Sequence, residues 1–282
     1  EPCKNLAQIT KKKGYTTYSE YWGPKLSEKI TKNKKADLIY SANTLSHIEN
    51  FKEIFKSINN ALSDRGVLII EDPSLLKCLQ NLAYDQFYCE HIYVFSTLSL
   101  REVLKNFKLE IFDVENTKTH GGSNRYYIKK NNNSLYKISN RVKIEIKKEL
   151  QFGINKFSTY KTFAKKIKIS KNKLLKIFSL LSKKKLRIVG YGATAKSCTV
   201  LNYCGLGKSD IKYFYDTTSY KVNKYLPGSK ILIKKYKKLD NKKIDVAFLG
   251  AWNFKKEIFK KEKKFIEGGG KFITHVPYPT II

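Results

Sequence analysis

The fold of the C-terminal third of the chain is decided by Leu186-Arg187-Ile188-Val189-Gly190-Tyr191-Gly192-Ala193-Thr194-Ala195-Lys196. A short apolar run followed by a G-x-G-x-x-A turn predicts a strand, a tight turn and then a helix. N–H groups at such a helix start can face a phosphate. Asp216 directly follows the next strand-like run, 211–215, at the position where a ribose-binding acid would stand. On these residues alone, the pattern is typical of a nicotinamide dehydrogenase.

The N-terminal part of the chain also alternates helices and strands. Apolar spacing predicts helices at 5–13 and 51–62, with strands at 36–40 and 67–70, and Ser63-Asp64-Arg65-Gly66 is interpreted as a turn. This alternation implies a parallel, doubly wound sheet, in which ligands bind outside the carboxyl ends of the strands. We expect that edge to carry Asn43, Thr44, Leu45 and His47, followed by Glu71, Asp72 and Pro73.

Between these two parts, residues 131–185 change to long Lys-rich helical patterns with a loose apolar stripe. The predicted fold class is therefore α/β, with two Rossmann-like parallel-sheet domains joined by a helical segment. We place the domains at 1–130 and 185–282 and the helical connector at 131–184. A basic amphipathic helix lying on a membrane surface is the alternative for this connector.

Proton-handling side chains are concentrated in the segment 84–96, Tyr-Asp-Gln-Phe-Tyr-Cys-Glu-His-Ile-Tyr-Val-Phe-Ser. Acid/base chemistry near neutral pH favours a histidine with a carboxylate or phenol beside it, and His91 stands next to Glu90 and near Tyr88. The alternative is an amphipathic segment whose aromatic residues belong to the core.

A second histidine, His120, precedes paired glycines and is followed by Ser123 and Arg125. Glycines let the backbone approach a ligand closely, and Arg offers donors suited to phosphate or carboxylate. A plain Gly-Gly turn is the alternative interpretation.

The net charge of +32 indicates nucleic-acid binding as one further alternative. Only five of the 56 basic residues are Arg, and the lysines are spread over every helix-like segment. No helix-turn-helix, zinc-finger or RNA-recognition pattern accompanies them. We therefore interpret the charge as solvated surface, whose positive field attracts phosphorylated substrates, and expect no nucleic-acid partner.

The cysteine pattern and the absence of long apolar runs indicate where in the cell the protein is expected. The five cysteines are scattered without Cys-x-x-Cys spacing, so neither a disulfide framework nor a zinc site is predicted. No run of eighteen apolar residues exists, and the first residues lack the apolar stretch of a signal peptide. We expect a cytoplasmic protein without a membrane partner.

Several motifs in order resemble the S-adenosylmethionine-dependent C-methyltransferases that methylate a carbon of nucleotide-linked deoxy-keto-sugars. The matching segments are Tyr-x-Glu-His at 88–91, the Gly-Gly turn at 121–122, Gly-Tyr-Gly-Ala-x-Ala-Lys at 190–196, and the runs 201–205, 225–228, 251–254 and 269–273. Thr194 and Asp72-Pro73-Ser74 depart from the family pattern. The resemblance covers nearly the whole chain, and it favours a C-terminal unit that helps to hold a nucleotide-sugar without using a nicotinamide.

The resemblance also implies where ligands bind. Cofactor contacts are expected from Glu1, Glu20, Tyr21, Asn43, Leu45 and His47, and substrate contacts from His120, Ser123, Arg125, Gly190, Gly192, Lys196, Asn202 and Asp216. In the family, a first strand with a glycine-rich cofactor loop and a zinc-binding module precede the segment that begins at Glu1. We therefore expect this chain to be part of a longer product that binds S-adenosylmethionine weakly by itself.

The chemistry implied by the resemblance starts at a carbon beside a keto group. A positioned base removes a proton, the enolate oxygen is stabilised, and the carbon attacks the sulfonium methyl in line. His91 is the predicted base, Glu90 would orient it, and Tyr88 would hydrogen-bond the enolate oxygen. No metal is required. The sequence leaves open the nicotinamide oxidoreductase and the basic nucleic-acid-binding protein as alternatives.

Overall fold

A computed structural model describes residues 1–282, which divide into two compact units. The first unit comprises Glu1–Asp72, Ile92–Thr117 and Ser123–Gln151, and the second comprises Pro73–His91, Lys118–Gly122 and Phe152–Ile282. Each unit thus combines segments that are distant in the sequence. The linear domains at 1–130, 131–184 and 185–282 stay a prediction.

Helices and strands alternate along most of the chain. The helices are α1 Lys4–Lys12, α2 Pro24–Thr31, α3 Phe51–Ala61, α4 Leu75–Gln80, α5 Thr97–Lys105, α6 Asn140–Phe152, α7 Phe157–Lys183, α8 Ala195–Cys204, α9 Lys255–Lys261 and α10 Lys263–Glu267. The strands are β1 Ala36–Ala42, β2 Leu62–Pro73, β3 Leu109–Thr117, β4 Ser123–Lys130, β5 Ile188–Tyr191, β6 Phe214–Asp216, β7 Ile233–Lys235, β8 Val246–Leu249, β9 Lys271–Thr274 and β10 Thr280–Ile281. Short 3₁₀ helices lie at Leu45–His47, Tyr84–Gln86, Thr119–Gly121, Ser219–Lys221 and Trp252–Phe254.

The sheet of the first unit has the strand order β1-β2-β4-β3. β1 runs parallel to β2, with Tyr40 opposite Ile69, as the alternating pattern predicts. β3 and β4 instead form an antiparallel pair, because the connection 118–122 is too short for the crossover that parallel strands need. The sheet is therefore mixed rather than wholly parallel.

The start of β2 differs from the predicted turn at 63–66. β2 begins at Leu62, directly after α3, and the pairing with β1 is irregular between Ala36 and Leu38. A Cβ on Gly66 would lie 2.8 Å from the carbonyl oxygen of Ala36. Glycine therefore permits a close backbone approach within the sheet at this position, where the sequence pattern suggested only a turn.

The core of the first unit lies on the sheet and the helices that cover it. Leu68 and Ile128 are fully buried, and Phe55 on α3 packs into the same cluster. Glu149 on α6 accepts hydrogen bonds from the backbone N–H groups of Thr97 and Leu98, at 2.7 and 2.8 Å. This buried carboxylate satisfies donors at the N-terminus of α5 and fixes that helix to α6.

The sheet of the second unit has the strand order β10-β9-β8-β5-β6-β7. Strands β5 to β9 are parallel, as predicted, and β10 folds back antiparallel to β9. The central strands β5 and β8 are buried throughout, as strands covered on both faces should be. The glycine-rich turn at 192–194 therefore follows an inner strand of a parallel sheet.

The Lys-rich stretch forms two long helices, α6 and α7. The apolar side chains of α7 that are buried, Leu174, Phe178 and Leu181, pack into the core of the second unit. None of the helices combines the length and the apolar character needed to cross a membrane.

Candidate active site

Tyr88 and His91 form a hydrogen-bonded pair in the second unit. The Tyr88 hydroxyl oxygen lies 2.6 Å from His91 Nε2, and the two ring centroids are 3.9 Å apart. Both side chains are partly buried. The Tyr-x-Glu-His spacing thus places the phenol and the imidazole in direct contact, within the distance that proton transfer requires.

The second nitrogen of His91 selects the tautomer of the neutral imidazole. Nδ1 lies 2.7 Å from the backbone carbonyl oxygen of Gln86, which only accepts hydrogen bonds. In the neutral imidazole, Nδ1 therefore carries the proton and Nε2 accepts from the Tyr88 hydroxyl. The orienting partner of His91 at Nδ1 is a carbonyl, a contact that the sequence analysis did not identify.

Electrostatics keep Tyr88 in its protonated form. Burial raises the pKa of Tyr88 to about 12, and the negative charges of Glu90 and Asp85 act in the same direction. Glu90 itself is exposed. At neutral pH, Tyr88 is consequently an O–H donor, and the role of Glu90 in orienting His91 stays a prediction.

A cavity of about 780 Å³ in the second unit is lined by Tyr88, Cys89 and Glu90 together with the glycine-rich turn and the loop after β6. Its other lining residues include Thr194, Ala195, Asn202, Tyr220, Lys221, Lys224 and Tyr225. Cations, phenols and an amide thus surround one space next to the Tyr88–His91 pair. This combination suits an anionic ligand that carries a flat ring.

The two glycines of the turn have different roles. A Cβ at Gly190 would lie 2.3 Å from the ring of Phe214, so Gly190 allows β5 and β6 to pack. Gly192 has a φ of +85°, and a Cβ there would lie 2.7 Å from that of Ala251. Both glycines are required by the local backbone, and contact of either with a substrate stays a prediction.

The Asp216 carboxylate is hydrogen-bonded to backbone groups of the second unit. It accepts from the backbone N–H groups of Ala193 and Thr218, each at 2.8 Å, and Lys221 Nζ lies 4.0 Å away. The turn at α8 is closed further by a capping box between Thr194 and Ser197. The carboxylate that suggested a ribose-binding acid thus holds the turn in place.

Lys196 and Asn202, both on α8, are also held by neighbours. Lys196 is 6% exposed, its Nζ lies 5.3 Å from the centroid of the Trp252 ring, and burial lowers its pKa. Asn202 donates to the carbonyl of Pro227 at 3.2 Å and lines the cavity. Of these two residues, only Asn202 lines the cavity beside Tyr88.

The His120 turn packs against the same unit as the Tyr88–His91 pair. His120 has a φ of 53°, and its carbonyl accepts from Gln86 Nε2 at 2.5 Å. A Cβ on Gly121 would lie 2.2 Å from the Trp252 ring, so glycine is needed there. The turn therefore packs through its backbone, and the lack of a side chain at Gly121 leaves room for the Trp252 ring.

Ser123 and Arg125 belong to the first unit. Ser123 is fully buried, while Arg125 forms two short contacts to Glu71 Oε2, 2.8 Å from Nε and 2.7 Å from Nη2. Glu71 is 5% exposed. The Arg125 guanidinium thus faces a buried carboxylate of the same unit, and its predicted contact with substrate stays a prediction.

Asn43 and Asp72 lie at the carboxyl ends of β1 and β2. Asn43 Oδ1 and Asp72 Oδ2 are buried and have no hydrogen-bond partner, and Ser46 Oγ donates to Asp72 Oδ1 at 2.9 Å. Burial raises the pKa of Asp72 to about 6. Acceptors left unpaired at this edge suit a ligand that supplies donors.

The remaining predicted cofactor residues differ in exposure. Leu45 is buried and His47 is exposed in the 3₁₀ helix that follows β1. Glu1 accepts from the Cys3 N–H at 2.9 Å, Glu20 lies 3.8 Å from Lys29, and Tyr21 is 83% exposed. The local contacts of these last three residues place them on the surface of the first unit.

Comparison with known proteins gives two family matches. Residues 118–277 match the model described as C-methyltransferase C-terminal domain, and residues 3–114 match a model described as methyltransferase domain. The chain is 30% identical over 283 aligned positions to C-methyltransferase NovU of Streptomyces niveus, covering all of this chain and 67% of that protein.

Solved structures give weaker similarities. An S-adenosylmethionine-dependent methyltransferase from Clostridium acetobutylicum is 17% identical, with a TM-score of 0.31, over 43% of this chain and 68% of that one. Magnesium protoporphyrin IX methyltransferase from Synechocystis is 16% identical, with a TM-score of 0.26, over 33% and 44% of the two chains.

Proposed function

Because this chain belongs to the S-adenosylmethionine-dependent C-methyltransferase family, we propose that it methylates the carbon beside the keto group of a nucleotide-linked deoxy-keto-sugar. S-adenosylmethionine is the cofactor, and when bound it supplies an electrophilic methyl group on a sulfonium. The substrate class and the order of proton removal and methyl transfer are the parts of this proposal that go beyond family membership.

The first unit has acceptors that fit the cofactor. S-adenosylmethionine carries an ammonium group, ribose hydroxyls and an adenine amino group, all of which donate hydrogen bonds. Asn43 Oδ1 and Asp72 Oδ2 are buried acceptors without partners at the sheet edge where such ligands bind. We assign the holding of the cofactor to Asn43, Leu45 and His47, as predicted from the sequence, and add Asp72.

The cavity beside Tyr88 supports a nucleotide-diphosphate substrate. Lys221 and Lys224 would face the diphosphate, and Tyr220 or Tyr225 offers a ring on which a base stacks. Thr199 and Asn202 are polar side chains of α8 that line the same space. These contacts support the assignment of this cavity to the nucleotide part of the substrate.

The proton step follows from the Tyr88–His91 geometry. When the Tyr88 hydroxyl turns from Nε2 to the keto oxygen, Nε2 becomes available to take the proton from the adjacent carbon. The Tyr88 O–H then stabilises the enolate oxygen, and the Gln86 carbonyl stabilises the imidazolium through Nδ1–H. S-adenosylmethionine held by Asn43, Leu45, His47 and Asp72 would supply the methyl group to this carbon in line, and the electrons of the broken S–CH₃ bond would stay on the sulfur, which would leave as a neutral thioether.

The 2.6 Å contact between Tyr88 and His91 is the observation that carries this proposal. His91→Asn should lower turnover roughly a hundredfold or more while retaining affinity for the nucleotide-sugar. Deuterium exchange at the substrate carbon, followed by NMR in D₂O without cofactor, should fall in parallel. Full turnover in the His91→Asn variant would show that His91 is not the base. Failure of the unmodified enzyme to methylate a nucleotide-linked keto-sugar would refute the substrate class.

A further inference from the structure

Asp85 lies in a buried cluster that the proton step does not use. It is fully buried in the 3₁₀ helix that precedes Tyr88, and its Oδ2 accepts from Trp252 Nε1 at 2.6 Å. His275 Nε2, also fully buried, lies 3.1 Å from the same oxygen. One carboxylate oxygen thus ties the 3₁₀ helix to two segments near the end of the chain.

The energetics of this cluster argue against a purely stabilising role. Asp85 Oδ1 and His275 Nδ1 are buried and have no hydrogen-bond partner. Leaving such groups unpaired costs roughly 1–3 kcal/mol each, and well-packed apolar side chains in their place are often neutral or stabilising. A buried carboxylate with one unsatisfied oxygen is therefore retained at a cost in stability.

The neighbour of Asp85 in sequence is the residue that orients His91. The Gln86 carbonyl accepts from His91 Nδ1 at 2.7 Å, and Gln86 Nε2 donates to the carbonyl of His120 at 2.5 Å. Trp252, which donates to Asp85, also packs against Gly121 in the His120 turn. Asp85 and Gln86 are consequently anchored on both sides by side-chain hydrogen bonds.

We propose that Asp85 is a positioning residue for His91: by anchoring the 3₁₀ helix to Trp252 and His275, it holds the Gln86 carbonyl where it selects the Nδ1–H tautomer. This inference rests on the proposed function for its catalytic meaning, but the tautomer is a property of the protein alone. Asp85 does not touch the substrate in this scheme.

The negative charge of Asp85 has a second effect on the Tyr88–His91 pair. It adds to burial and to Glu90 in raising the pKa of Tyr88. Other titratable groups face these residues: Cys89 and His91 lie near Tyr88, while Cys78, Lys196 and His275 lie near Asp85. Removing the Asp85 charge should lower the Tyr88 pKa and move the alkaline limit of turnover to lower pH.

The test is Asp85→Leu, which removes the oxygen that contacts both Trp252 and His275, in the full chain with histidine labelled with ¹⁵N. Because the chain has four His, the His91 ring signals can be assigned by comparison with His91→Asn. We expect the Nδ1–H signature of His91 to be replaced by a mixture of tautomers, and kcat to fall roughly a hundredfold, as a small misplacement of a catalytic group produces.

Glu262→Leu is the matched control, since Glu262 is also a buried carboxylate that accepts from Tyr191, Tyr236 and a backbone N–H in the same unit. It should leave the His91 tautomer and the alkaline limit unchanged. An unchanged tautomer in Asp85→Leu, or a loss of kcat no larger than in Glu262→Leu, would overturn the inference.

Trp252→Phe removes the Nε1 donor to Asp85 together with the outer part of the indole that lies next to Gly121, and it tests the same anchor by a second route if Asp85→Leu does not fold. We expect a partial shift of the His91 tautomer, and an unchanged spectrum would again count against the inference. If the enzyme methylates no keto-sugar but the tautomer shifts, the proposed function fails and the positioning role of Asp85 stands.

Discussion

The Tyr88 hydroxyl and His91 Nε2 are 2.6 Å apart, with ring planes inclined by 31°. The phenol and the imidazole therefore act as one unit, since moving the hydroxyl to a substrate oxygen exposes the nitrogen that would receive a proton. In the proposed reaction, the pair would supply an acid and a base to the same substrate carbonyl group.

Tyr88→Phe should lower kcat roughly a hundredfold and leave KM nearly unchanged, because the ring remains while the donor to the enolate oxygen is lost. Steady-state kinetics of methyl transfer to the keto-sugar measures both constants. Tyr278→Phe, which alters a 52% exposed phenol, is the control and should change neither. Equal kcat values for the Tyr88 variant and the unmodified enzyme would contradict a role for this hydroxyl.

Lys224→Ala should raise KM for the nucleotide-sugar by roughly tenfold or more, the size expected for one lost hydrogen bond to a charged group, with kcat retained. The side chain is exposed and lines the 780 Å³ cavity. Titration calorimetry with the nucleoside diphosphate alone measures the same contact. Lys208→Ala, an exposed lysine outside that lining, controls for net charge, and equal effects of the two changes would disprove a specific diphosphate contact.

Asp72→Asn should stabilise the first unit at pH 7.5 and have little effect at pH 4. Burial raises the Asp72 pKa from 3.8 to about 6, so its stability contribution is full below the ordinary pKa and is lost as pH rises through about 6. The difference at pH 7.5 is at most about 3 kcal/mol. Asp64→Asn, with a side chain 80% exposed, is the control.

Urea unfolding measures this difference, because each unit contains one of the two tryptophans, Trp22 and Trp252. In a Trp252→Phe background, Trp22 fluorescence reports on the first unit. An Asp72→Asn variant that is equally stabilised at both pH values would show that the buried charge is not the cause.

Arg125→Gln should lower the free energy of unfolding of the first unit by roughly 1–3 kcal/mol, because the cation facing the buried Glu71 carboxylate is removed. Trp22 fluorescence again measures unfolding. Arg101→Gln is the control, because it breaks an ion pair between Arg101 and Glu102, whose side chains are 39% and 51% exposed. It should lower the free energy of unfolding by less than about 1 kcal/mol. A raised KM with unchanged stability would instead favour the substrate contact predicted from the sequence.

Local patterns were sufficient for the strand-turn-helix that opens the C-terminal part of the second unit. The strand, glycine-rich turn and helix at 186–196 follow from apolar periodicity and backbone freedom, and the structure confirms β5 and α8 there. The antiparallel pairing of β3 with β4 was not predicted, because Ser123 and Arg125 were interpreted as ligand contacts after a Gly-Gly turn and no strand was predicted at 123–130.

The sequence by itself determined which residue types stand together: Tyr88 and His91 three positions apart, and Asn43, Leu45 and His47 after one strand. Only the tertiary structure decided their partners, such as the contact of Asp85 with His275, 190 positions away, and that of Glu71 with Arg125. The reason is physical: periodicity and turn chemistry act over a few residues, whereas the partner of a buried polar group depends on which distant segments pack around it.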